Sequence, residues 1–309
     1  NAATEVSVTG ITFDTTVPTF SSVSPSTNSS VNTTAVGYTL SETIASGSVT
    51  WRHESGTADI DSPHTANLTG DELNTGLRTS AVLTHEPILV SGAIYTIAFN
   101  GTDAAGNAAT EVSVTGITFD TTVPTIQLIG PSKIFGELGT SYTDDGATAT
   151  NDTAGDLTSS ITTVNPVTSN INTKGVYTVT YNVNDAAGNA ATQVTRTVII
   201  GSISISGTVE EGATLTAVTN EVPNYGSLTF TYQWKSSTDN INFSNISSET
   251  INTYDIPSDQ TMVGKYLRVL VTTADTDGVF IATTGQVANV NDPPTFTSRP
   301  DTSATRDTP

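Results

Sequence analysis

The chain has 309 residues, with 30 carboxylates against 10 lysines and arginines, a formal net charge of -20, and no cysteine. Contacts to phosphate need basic side chains, so this balance argues against nucleic acid and anionic lipid as partners and favours cations. The missing cysteines exclude disulfide staples, thiolate catalysis, Cys-bound zinc and iron–sulfur clusters, and an exported protein without disulfides fits a bacterial or archaeal surface.

The chain opens on NAATEVSVTGITFDTTVPT, and Asn107–Thr125 repeats Asn1–Thr19 letter for letter, an offset of 106 residues. A period near 100 residues is too long for a solenoid and suits one β-sandwich per repeat. Residues 1–16 therefore read as the last strand of a preceding repeat. Three bodies follow, at 17–122, 123–201 and 202–290, and 291–309 read as the start of another, opened by the linker NDPPTF. Thr, Ser, Val, Asn and Gly dominate, which fits many short strands joined by tight turns. No apolar run reaches the ~18–20 residues that span a bilayer, and the first residues lack a signal-peptide pattern. Any targeting or anchoring element is expected outside this stretch.

In the first body the expected strands are Ala35–Thr39, Gly47–His53, Ser80–Leu83, Ile94–Phe99 and Thr110–Phe119, with at most a helical turn near Thr69–Thr75. In the second they include Ser141–Thr143, Ile161–Val164, Val176–Val183 and Thr192–Ile200. There Tyr177, Val179, Tyr181 and Val183 alternate with Thr178, Thr180 and Asn182, as in a strand packed on one side. In the third they are Ile203–Thr208, Thr214–Val218, Thr229–Lys235, Tyr266–Thr273 and Val279–Val287. Trp51 and Trp234 fall in central strands, where an Ig-type sandwich places its core indole, and Tyr266 is expected as a core tyrosine at the start of the sixth strand.

The signature D-A-A-G-N…F-D-T-T-V-P, at Asp103–Asn107 and Asp120–Pro124, resembles bacterial Ig-like repeats of giant surface adhesins. The second body, with SYTDDGATATND, GDLTSSI and KGVYTVTYNVNDAAGNAATQVTRTV, resembles another bacterial surface Ig-like family. The third, with GTVEEGATLTA, YQWKSSTD, VGKYLRVLVT and NVNDPP, is similar to adhesin repeats. The resemblance implies an all-β, extended array of tandem Ig-like antiparallel sandwiches on a cell surface. It also implies a stalk, adhesin or filament, commonly stiffened by calcium at the domain junctions.

In an Ig topology the B–C and F–G loops share the end at which the preceding linker enters. This brings Asp14 to Glu42, Asp103 and Asn107 at one junction, and Asp120 to Asp152, Asp156, Asp185 and Asn189 at the next. Calcium takes six to eight oxygens at ~2.3–2.6 Å, so each set is a candidate cage; magnesium, with its strict octahedron, suits it less. The Asp-x-x-Gly-Asn turns also have an ordinary reading as local Asx-turn chemistry. The third junction, VIIGSISI, lacks a linker aspartate and is expected to hold no ion, while Asn291-Asp292 would begin another site.

The spacing of His53, His64 and His85 matches no zinc motif, and no nucleophile elbow or phosphate loop is present, so no enzyme activity is expected. The first body has no lysine, which excludes a Lys–Asn cross-link there; Lys133 and Lys174 leave one open in the second. Sequons at Asn28, Asn32, Asn67, Asn100, Asn151, Asn242 and Asn245 follow from composition in a bacterial chain and would take glycan in an archaeal one. The expected role is an extracellular structural stalk. The alternatives are direct binding of a glycan or protein receptor, or a spacer in a large secreted enzyme. Expected partners are neighbouring repeats of the same chain, surface glycans or proteins reached through other domains, and other copies through fibre formation by Thr4–Phe13.

Overall fold

A computed structural model describes residues 4–7, 9–10, 13–223, 228–273 and 278–290. The fold is nearly all β, with 46% strand and 4% helix, as a chain rich in β-branched residues and poor in strong helix formers should be. The strands are β1 (Phe20–Ser24), β2 (Ser30–Val31), β3 (Val36–Leu40), β4 (Ser46–Gly56), β5 (His64–Asn67), β6 (Gly76–Ala81), β7 (Ala93–Thr102) and β8 (Val112–Phe119). They continue with β9 (Thr125–Leu128), β10 (Lys133–Glu137), β11 (Ala147–Asn151), β12 (Gly155–Asp156), β13 (Thr162–Val164), β14 (Gly175–Asn182) and β15 (Val194–Gly201). The last are β16 (Ser204–Ser206), β17 (Thr214–Val218), β18 (Phe230–Ser237), β19 (Ser244–Asn245), β20 (Thr253–Asp255), β21 (Tyr266–Thr273) and β22 (Phe280–Gln286). Two compact units divide these residues. One comprises Asn1–Ile129, Asp145–Val164 and Thr180–Val194, the other Gly130–Asp144, Asn165–Val179 and Thr195–Pro309.

The first unit contains a two-sheet sandwich, β1-β3-β6 facing β2-β8-β7-β4-β5. One core joins the sheets: Phe20, Tyr38 and Leu40 from the smaller, and Val49, Trp51, Tyr95, Ile97, Phe99 and Ile117 from the larger. Trp51 is 2% exposed, which settles the expected indole landmark, and truncating such a side chain to alanine costs ~3–5 kcal/mol. Phe20, Tyr38 and Phe99 meet at 5.6–6.0 Å between ring centroids. The unit also holds the antiparallel set β12-β11-β9 and the pairing of β13 with Thr180–Asn182 of β14.

The second unit contains the parallel pair β10 and β15, and the sheets β16-β17-β20 and β19-β18-β21-β22. Trp234 is fully buried, stacks on Tyr254 at 5.6 Å, and donates Nε1–H to the Ile251 carbonyl at 3.0 Å. Arg196 is also fully buried, its guanidinium held by the Asp144 carboxylate and the Pro131 carbonyl. That pairing gives Asp144 a structural role.

Three expectations change. Tyr266 is half-buried, because β21 alternates strictly and turns Leu267, Val269 and Val271 inward; the buried tyrosine is Tyr254 on β20. Ser141–Thr143 is not a strand: Tyr142 donates its hydroxyl to Asp144, and pairing begins at Ala147. A single α-helical turn, Val167–Asn170, follows Pro166 and buries Val167, too short for periodicity to reveal. In β14 the alternation holds, with Val179 and Tyr181 buried, Val183 buried just beyond the strand and Thr178 exposed. Residues 291–309, expected to open another body, lie outside the described residues, as do Asn291 and Asp292.

Candidate metal centre

Both junctions are built on the same turn. Asp103 accepts backbone N–H from Ala105 (2.9 Å) and Asn107 (2.8 Å) on one oxygen and the Asn107 side-chain amide (2.8 Å) on the other. Asp185 repeats this with Ala187 (2.9 Å), Asn189 N–H (2.9 Å) and the Asn189 amide (2.8 Å). Gly106 and Gly188 sit at φ +95° and +91°, a region a side chain would strain, which is why the motif needs glycine there. The asparagine then reaches the incoming linker: Asn107 Nδ2 donates to the Asp14 carbonyl (3.1 Å) and Asn189 Nδ2 to the Asp120 carbonyl (2.8 Å). The linker aspartates turn their own chain alike, Asp14 accepting from Thr16 N–H and Asp120 from Thr122 N–H, each at 2.9 Å. The local Asx-turn reading and the junction reading are thus one structure.

The junctions differ at the residue arriving from the end of the B strand, which is β3 before the first junction's loop and β11 before the second's. At the first it is Glu42. One carboxylate oxygen each from Asp14, Glu42 and Asp103 lies within 4.8 Å of the others. Glu42 Oε1 is buried with no hydrogen-bond partner, a condition shared among the described residues only by the Tyr254 hydroxyl. Burial, then the charges of Asp14 and Asp103, push the Glu42 carboxyl above its ordinary pKa. Asp103 moves the other way, held below the usual range chiefly by the Asn107 side-chain hydrogen bond.

At the second junction the place is taken by Asn151. Its Nδ2 donates to the Thr122 carbonyl (2.9 Å) and, more distantly, to Asp185 (3.5 Å), while its oxygen accepts from Thr153 and Ala154 N–H. Asn189 is saturated as well, since Asn32 donates to its oxygen at 3.1 Å. Ser91 donates to the Asp120 carboxylate (3.4 Å) and accepts Thr121 N–H. Asp120, Asn151, Asp185 and Asn189 are all buried. Asp152 and Asp156 do not join them. Both are exposed, Asp152 bonded to the Thr153 hydroxyl and Asp156 to Thr158 N–H within their own turn. Of the expected residues, the structure brings together Asp14, Glu42, Asp103 and Asn107 at one junction, and Asp120, Asp185 and Asn189 at the other. Asn151, Asn32 and Ser91 escaped sequence reasoning, which looked for acids; in T-A-T-N-D-T the signal was the amide beside the acid.

The histidines do not converge. His64 Nε2 lies 2.7 Å from Asp59 Oδ2, which also accepts the Tyr95 hydroxyl at 2.6 Å; His53 Nε2 lies 3.0 Å from the Thr57 carbonyl, and His85 is exposed. Burial alone would raise Asp59, but the hydrogen bonds from Tyr95, His64 and Asp61 N–H outweigh it and hold the carboxyl low.

Residues 126–200 match the family model described as a bacterial surface protein, Ig-like domain. That stretch is similar to bacterial surface Ig-like domains. Residues 199–290 match the model of a domain of unknown function. No curated protein matches the chain. Solved structures similar to this Ig-like array include the three N-terminal domains of the bacteriophage RB49 Highly Immunogenic Outer Capsid protein, at 14% identity and TM-score 0.39, covering 87% of this chain and 99% of that one. A tetra-tandem repeat from the extending region of a large adhesion protein is 15% identical with TM-score 0.23, covering 88% and 74%. An I-band fragment of titin is 12% identical with TM-score 0.30, covering 90% and 100%. This tandem Ig-like protein has, among its described residues, no helix long and apolar enough to cross a membrane.

Proposed function

We propose that the chain is a structural stalk segment of a cell-surface adhesin or extracellular filament, and that calcium at the first junction clamps its entry linker to the sandwich that follows. The carrying observation is the buried, unpartnered Glu42 Oε1 beside two further carboxylates. Three acids so close repel, and leaving one oxygen buried without a donor is costly, so the arrangement favours a cation. Asp14, Glu42 and Asp103 would hold the ion. Calcium suits this set because it accepts carboxylates in flexible geometry, with carbonyls or water completing the shell. The ion would neutralise the repulsion and fix the linker, whose Asp14 carbonyl already accepts a hydrogen bond from Asn107 Nδ2.

The second junction supports a different device for the same end, a hydrogen-bonded lock of Asn151, Asn189 and Asn32 that needs no ion. Junctions that resist hinging are what a rod needs. The surface family matched by residues 126–200 supports an extracellular location, and the acidic balance and strand-dominated bodies fit a load-bearing rather than catalytic part. The partners follow as adjoining modules of the same chain, with recognition of surface glycans or proteins left to other domains.

Calorimetric titration tests the clamp. The chain should bind calcium in preference to magnesium, and Glu42→Gln should abolish that binding while leaving the sandwich folded by circular dichroism. A chain that takes up no calcium, or a Glu42→Gln variant that binds it equally well, sinks the proposal.

A further inference from the structure

The family matches at 126–200 and 199–290 meet on β15, and that boundary falls inside a core. β10 and β15 run parallel from Lys133↔Thr197 to Glu137↔Gly201. In the first sandwich the corresponding parallel pair, β2 and β8, stops at Val31↔Phe119, and the linker Asp120–Pro124 precedes β9. After β15 only Ser202 and Ile203 stand before β16, and Ile203 is buried. So short a connection, with one residue packed, has little freedom to hinge.

The surface that β10 and β15 present is apolar. Phe135 and Ile199, partners across the two strands, share one buried cluster with Ile203, Val222, Trp234 and Phe280. The Phe135 and Phe280 rings lie 4.8 Å apart between centroids. Backbones approach as closely as side chains. A Cβ on Gly278 would stand 2.8 Å from the Phe135 carbonyl oxygen, and one on Gly201 3.0 Å from the Val222 Cα. Both positions therefore demand glycine. At the rim Lys174 pairs with Glu221; both side chains are half exposed, so that pair adds little.

We infer that the end of the β16–β22 sandwich carrying Val222 and Gly278 is an interaction surface for a preceding Ig-like body. It accepts that body by burying an aromatic side chain at the Phe135 position. The partner it fits carries this aromatic on a short parallel strand and a glycine where the neighbouring strand ends. Adjoining bodies move relative to one another unless the contact between them is large and hydrophobic. Here one core runs through the contact, so β10, β15 and the sheets after them move as one piece. The joint requires no ion and stands or falls apart from the calcium clamp.

The chain has no native cysteine, so Ser169→Cys and Ile241→Cys, both at exposed positions, can carry spin labels in the full chain. Pulsed dipolar spectroscopy should return one narrow distance distribution, the same with calcium and with chelator. Phe135→Ala should broaden it. Hydrogen exchange then decides which core Phe135 serves. In Phe135→Ala the β22 amides should exchange roughly tenfold faster or more, while the β14 amides keep their original rates. A broad distribution in the parent chain, one that narrows only with calcium, or one that Phe135→Ala leaves narrow overturns the inference. So do β22 amides indifferent to Phe135→Ala, or β14 amides that quicken as much.

Discussion

At both junctions of the first unit an aspartate closes its own turn, an asparagine two residues beyond the turn's centre reaches back to the linker carbonyl, and a residue from the B strand completes the set. At the first that residue is an acid with an orphaned oxygen; at the second it is an amide with every polar atom engaged. An amide both donates and accepts, so it can satisfy a carbonyl and two N–H groups at once, whereas a carboxylate among carboxylates has nothing to accept from. Glutamate against asparagine thus separates a junction with a buried oxygen left without a donor from one whose side chain is fully hydrogen-bonded. The lesson is that acidic content alone does not mark a metal site. What matters is whether the acids are already supplied with donors.

The comparison breaks most visibly at the shared asparagine. Asn189→Ala strips donors from the buried Asp120 carbonyl and Asp185 carboxylate and should cost ~2–3 kcal/mol, read as a lower calorimetric transition and faster hydrogen exchange around Asp185. Asn107→Ala removes the same bonds where the side chain is half-exposed, so water replaces part of them and the loss should be nearer ~1 kcal/mol. Equal losses would mean that burial does not distinguish the junctions.

Asn151→Asp imports the first junction's chemistry into the second. It exchanges the donor facing Thr122 and Asp185 for a negative charge, so the variant should melt a few degrees lower without calcium and recover part of that loss when calcium is added. A melting temperature indifferent to calcium would show that the B-strand residue is not the discriminator.

The smallest effect is in pH. The Glu42 carboxyl sits above its ordinary pKa, so the folded state binds the proton more tightly than the unfolded one. Stability from this group therefore falls as pH rises from the unfolded value through the folded one. Calcium needs the ionised form, so its affinity should weaken on acidification, beginning above the ordinary glutamate range, and Glu42→Gln should flatten both trends. Titrations at several pH values check this. An affinity that weakens only below the ordinary range would contradict the shift.

Much of the fold was legible because strand signals are local. The alternation around Tyr181, the indoles of Trp51 and Trp234 and the Asp-Ala-Ala-Gly-Asn turns each depend on a few neighbouring residues. β1, β9, β10 and β11 were not foreseen, since strands of four or five residues are too short to show a clear alternation. Tyr266 was misassigned by one position, and in a strand one position exchanges core for surface. Linker and turn acids could be grouped from loop placement alone, but Asp152 and Asp156 could not be separated from Asn151, because which neighbour points inward depends on how β11 ends.

The sequence by itself determined the class of the fold, the duplicated strand and the linker and turn residues that meet at each junction, because composition, repetition and turn chemistry are carried along the chain. Only the tertiary structure decided that Glu42 stands without a donor, that Asn151 supplies one, and that Asp152 and Asp156 stay in solvent. Those are facts about what lies across a gap in space, and partners far apart in sequence are chosen by packing, which no local pattern records.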